Sequence, residues 1–100
     1  MAVVGEFGRT PKVSQPGPGR EHWAEAGSMV FAGGGLKMGQ VVGETDGRAE
    51  RSKSGTITWQ NVMATIYGVL GVDPAAALTD FGGRPQALLD DRAPIRELTD

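Results

Sequence analysis

Glycine cuts the apolar runs of this chain short, and only one stretch keeps its apolar residues in step for several turns. Ala2-Val3-Val4 stops at Gly5, and Ser28 to Ala32 stops at Gly33-Gly34-Gly35. Both read as short buried strands, the first cut below the usual length of about 5–6 residues, as if its upstream part were missing. Gln40-Val41-Val42 is a third short strand candidate. The exception begins at Thr58. Trp59, Val62, Met63, Ile66, Tyr67 and Leu70 follow at helical spacing and form one apolar face. Thr58 suits the N-cap, Gly71 the C′ position, and Pro74 lies shortly beyond. This helix is expected to cover a sheet.

The rest is punctuation. Residues 5–20 carry four Gly and three Pro together with Arg9, Lys12 and Arg20, the composition of a long loop. Asp46-Gly47 marks a turn, and 48–55 read as an exposed polar stretch. Asp73-Pro74 is expected to start a helical turn through Leu78, after which the chain reads as mostly irregular.

Composition excludes several chemistries. With no cysteine among 100 residues there are no disulfides, no thiol nucleophile and no zinc finger. One histidine cannot furnish a His-rich catalytic centre. Ten basic and 12 acidic residues give a net charge of −2, which argues against nucleic acid as a partner. No apolar run approaches the ~18 residues of a membrane span. The first residues lack the basic segment of an export signal. Gly33-Gly34-Gly35-Leu36-Lys37 is not a phosphate-binding loop, because Met38 stands where that motif requires Ser or Thr. It reads as a turn between strands.

Two short motifs can carry chemistry. Glu6 and Arg9 follow a strand end, where a carboxylate could hold a metal and an arginine an anion; as a solvated turn, the two would instead pair with each other. Glu21-His22 joins the lone imidazole to a carboxylate, a common metal-ligand combination; a lone histidine can equally be a hydrogen-bonded structural residue.

Several segments, in order, resemble the C-terminal part of the domain-of-unknown-function family 1501. They are residues 3–12 (Val-Val-Gly-Glu-Phe-Gly-Arg-Thr-Pro-Lys), 19–23 (Gly-Arg-Glu-His-Trp), 31–43, 64–74, 83–85 and 94–98. The resemblance covers nearly the whole chain. It implies the alkaline phosphatase and sulfatase-like superfamily, whose late helix Asn61 to Pro74 is similar to. The implied fold is α/β: this chain would be the C-terminal fragment of a mixed, mostly parallel sheet with a flanking helix, residues 1–100 forming a partial domain. The implied chemistry is metal-assisted hydrolysis of phosphate or sulfate esters.

By the same resemblance Glu6, Glu21 and His22 become candidate metal ligands, Glu21 standing where the family has Asp. Arg9 and Arg20 become candidates for contacting an anionic ester. A divalent metal and an anionic ester substrate are expected for a full-length parent, which would be exported. The isolated chain is expected to bind no metal tightly and to be inactive, since the nucleophile and further ligands of such sites come from upstream strands. Two non-enzymatic readings stand beside it. One is an interaction module that self-associates through an open sheet edge; the other is a protein that binds an anion or a glycan without catalysis.

Overall fold

The computed structural model describes all residues from Met1 to Asp100. The contacts divide them into two compact units, residues 1–33 with 38–56, and residues 34–37 with 57–100.

The first unit consists of short antiparallel ribbons. β1 (Ala2–Val3) pairs with β4 (Val30–Phe31), and β2 (Gly8–Arg9) pairs with β3 (His22–Trp23). β5 (Glu44–Thr45) pairs with β6 (Ser52–Ser54) across the Asp46 turn, with a register shift at Glu44/Thr45. That turn is built by the Asp46 carboxylate, which accepts the amides of Arg48 and Glu50. Gly43 and Gly55 approach so closely beside this ribbon that a Cβ on Gly43 would lie 2.8 Å from the Gly55 carbonyl oxygen.

Three expectations change here. Val3 and Val30 are 58% and 59% exposed, so β1 and β4 are not buried strands. Residues 40–42 form no strand, and Val41 stands almost fully in solvent. The polar stretch 48–55 contributes β6, because the Asp46 turn folds it back onto β5.

The second unit holds the hydrophobic core. α1 (Trp59–Leu70) starts at a capping box: Thr58 Oγ1 accepts the Asn61 amide, and Asn61 Oδ1 accepts the Thr58 amide. It stops at Gly71, whose φ of 76° is left-handed backbone that favours glycine. Its buried face is Val62, Ala64 and Thr65, which is narrower than the expected stripe and rotated from it. Met63, Ile66 and Tyr67 are half-buried; Trp59 and Leu70, at the two ends, are exposed. Leu89, Ile95 and Leu98 complete the core.

Asp73 forms a turn, its carboxylate accepting the Ala75 amide, and the chain then enters a strand in place of the expected helical turn. β7 (Ala77–Thr79) and β8 (Pro85–Ala87) make a hairpin in the region that reads as irregular. Asp80 organises its tip by accepting the Gly82 and Arg84 amides, the Arg84 guanidinium and the Gln86 side-chain amide. α2 (Arg96–Thr99) closes the chain.

The α/β class expected from the sequence is therefore present as short strands and two helices. The mostly parallel sheet implied by the resemblance does not occur within these residues: each of the four ladders is antiparallel.

Candidate functional site

Arg9 and His22 lie on the ribbon of β2 and β3; β2 falls inside the stretch 5–20 that reads as a loop, and β3 just beyond it. Local polar groups hold the ribbon. The Thr10 amide donates to the Glu21 carbonyl, and Thr10 Oγ1 accepts the Glu21 amide. Arg20 Nη1 donates to the carbonyls of Thr10 and Pro11 at 2.8 and 2.7 Å. The Ser14 amide donates to the Gly19 carbonyl, closing a tip of Gln15, Pro16, Gly17 and Pro18. Gly8 is required in β2, because a Cβ there would overlap the Ala26 carbonyl.

The register sets Arg9 opposite His22 and Gly8 opposite Trp23. Successive strand residues project to opposite faces. Arg9 and His22 therefore share one face of the ribbon, and Trp23 leaves from the other. Phe7, two residues before Arg9, joins the first face. Its ring centroid lies 3.8 Å from that of His22, and the Arg9 guanidinium carbon sits 5.4 Å from the Phe7 centroid. One face thus carries a guanidinium and an imidazole, each against the same aromatic ring.

The other candidates are placed differently. The Arg20 Nη1 bonds make this residue a brace for the ribbon. Glu6 and Glu21 are exposed, and Glu6 makes no ion pair with Arg9, so the paired-turn alternative does not occur. Glu21 precedes His22 where the ladder continues through Thr10, so alternation directs the two side chains apart. No three His, Asp or Glu side chains of the chain cluster to hold a metal ion. Glu6, Glu21 and His22 do not by themselves form a metal centre in residues 1–100.

The groups with clearly shifted acidity lie outside this face. Asp46, Asp80 and Asp91 are held below the ordinary aspartate value. The leading causes are the amides of Glu50, Arg84 and Ala93 respectively, which stabilise each carboxylate by donating to it.

Two roles at this face leave no local signal in the sequence. Phe7 had no chemical signal of its own, and its ring position follows only from the β2–β3 pairing. Arg20 was legible as a cation but not as a brace, because the carbonyls it binds lie nine and ten residues away.

What the fold and site define is a small α/β chain bearing a cationic, aromatic ribbon face. The chain matches the DUF1501 family, described as a protein of unknown function, over residues 1–99, and it belongs to that family. No curated protein and no solved structure matches it.

Proposed function

We propose that the Phe7–Arg9–His22 face binds the anionic group of a phosphate or sulfate ester, as part of a metal-dependent ester hydrolase. The observation that carries this reading is the pairing of Arg9 with His22 on one exposed face. A guanidinium offers several N–H donors in a planar fork suited to a tetrahedral oxyanion. An imidazole beside it can donate a hydrogen bond to the same anion. Arg20 holds the two strands together and so positions both groups.

Glu6 and His22 are the positions proposed to contribute to a metal centre; Glu21, directed away from His22, is not placed with them. Further ligands would have to come from a longer protein. The isolated chain is accordingly expected neither to hold a metal tightly nor to turn over esters.

Titration of the chain with inorganic phosphate or sulfate, read by NMR, tests the anion site. Saturable shifts of the His22 ring and Arg9 side-chain resonances, lost in Arg9→Ala, are expected. Absence of those shifts, or shifts that survive Arg9→Ala, overturns the reading.

A second reading, a non-enzymatic interaction module, is favoured by the β1–β4 ribbon. It exposes Val3 and Val30 and leaves one backbone edge of each strand unpaired. Self-association that rises with concentration in size-exclusion chromatography is expected on this reading. A monomer at every concentration counts against it.

A further inference from the structure

The opposite face of the same ribbon opens on a groove of about 330 Å³, lined by Trp23, Pro11, Val13, Lys12, Ser14 and Glu50 among others. That volume is at the small end of ligand pockets, about 300–1,000 Å³. Trp23 is fixed in it: the indole Nε1–H donates to the Glu50 carbonyl at 2.7 Å. The ring is thus an apolar wall whose orientation is set before a ligand arrives. Val13, 48% exposed, and Pro11 extend the apolar lining.

Two residues of opposite charge, Lys12 and Glu50, also line the groove, Glu50 meeting the indole through its backbone carbonyl. The Lys12 ammonium and the Glu50 carboxylate make no ion pair or hydrogen bond within the chain. A purely apolar ligand would strip water from both without replacing it, which is costly. An inorganic anion would satisfy Lys12 but meet the like charge of Glu50. A neutral ring with hydroxyls at its rim answers all three features. Its C–H face packs on the indole, one hydroxyl oxygen accepts from Lys12, and another hydroxyl donates to Glu50.

We infer that this groove is a binding site for a neutral sugar ring, carried on the face of the ribbon opposite Arg9 and His22. The two faces are independent, because Gly8/Trp23 and Arg9/His22 are alternate pairs of one ladder. The inference does not rest on the proposed ester site, and each can fail without the other.

The test uses indole fluorescence. The chain has two tryptophans, so Trp59→Phe leaves Trp23 as the reporter. Methyl β-D-glucopyranoside is the probe, with glycine and sodium sulfate as contrasts. A saturable change with the glycoside in the millimolar range is expected, weakened about tenfold in Lys12→Ala and in Glu50→Gln. The indole N–H resonance of Trp23 in the unaltered chain gives the same readout without the Trp59 substitution. No saturable change overturns the inference. So does a change that survives both substitutions, or one that glycine or sulfate produces equally well.

Discussion

Thr65 Oγ1 accepts the amide N–H of Ile95 at 2.9 Å while donating to the Asn61 carbonyl at 2.7 Å. The hydroxyl is 30 residues from Ile95 in sequence, and Thr65 and Ile95 are both buried. It ties the middle of α1 to the segment that leads into α2. Thr65→Val keeps the shape and removes the acceptor, leaving a buried N–H without a partner. A loss of about 1–3 kcal/mol in urea unfolding is expected. Thr65→Ser, which keeps the hydroxyl, is expected to lose less; equal losses would refute the role of the bond.

Asn61 serves both ends of a second link. Its Oδ1 caps α1 through Thr58, and its Nδ2 donates to Asp91 and to the Ala93 carbonyl. Asn61→Ala removes the N3 half of the capping box and this tether together, while Thr58 still caps the residue-61 amide. A cost of about 1–2 kcal/mol is expected from the lost side-chain hydrogen bonds. Faster hydrogen exchange at the Thr58 and Ala93 amides would locate the loss.

Acid is expected to weaken the fold through three aspartates. Asp46, Asp80 and Asp91 have folded pKa values below the ordinary 3.8. The unfolded chain therefore binds more protons in that range, and stability falls as pH drops. Their contribution is present above about pH 3.8, the ordinary aspartate value, and fades as pH passes below the folded values. A stability–pH profile checks this. Asp80→Asn is expected to lower stability at neutral pH and to flatten the acid limb; an unchanged limb would count against the assignment.

Gly8→Ala is expected to break the candidate site without touching a candidate residue. The added methyl overlaps the Ala26 carbonyl, so β2 and the segment that follows β3 must move apart. The Phe7–His22 stacking then goes with it. Ring-current shifts on the His22 protons report that contact directly. They are expected to collapse in Gly8→Ala while the α1 resonances persist; retained shifts would show that the ribbon adapts.

How much of this is legible in the sequence depends on the distance over which each element is determined. α1 is, because its spacing, its Thr58 cap and its Gly71 stop are all local. Even there the buried face was misplaced, since Thr65 goes inward to serve Ile95 and Trp59 and Leu70 lie at exposed ends. The β2–β3 ribbon is not legible. Its strands are two residues each and apolar patterning has no room to show. It is held instead by Thr10 and Arg20 bonding across the loop. Arg9 and His22 could be nominated from residue type, but their sharing of a face could not, because that depends on register. The β7–β8 hairpin was missed for a related reason: Asp80, the residue that builds its turn, reads from sequence as one more acidic loop residue.

The tip of the β2–β3 connection offers a practical opening. Everything that sets the register lies at or below the Ser14–Gly19 bond, and the segment from Gln15 to Pro18 only bridges it. Peptide could be spliced into that bridge at little entropic cost, since loop closure depends only weakly on length. A fluorophore tag or an affinity handle placed between Pro16 and Gly17 would ride above both faces of the ribbon. A single residue inserted one step lower, beside Thr10 or Glu21, would turn one strand over and part Arg9 from His22.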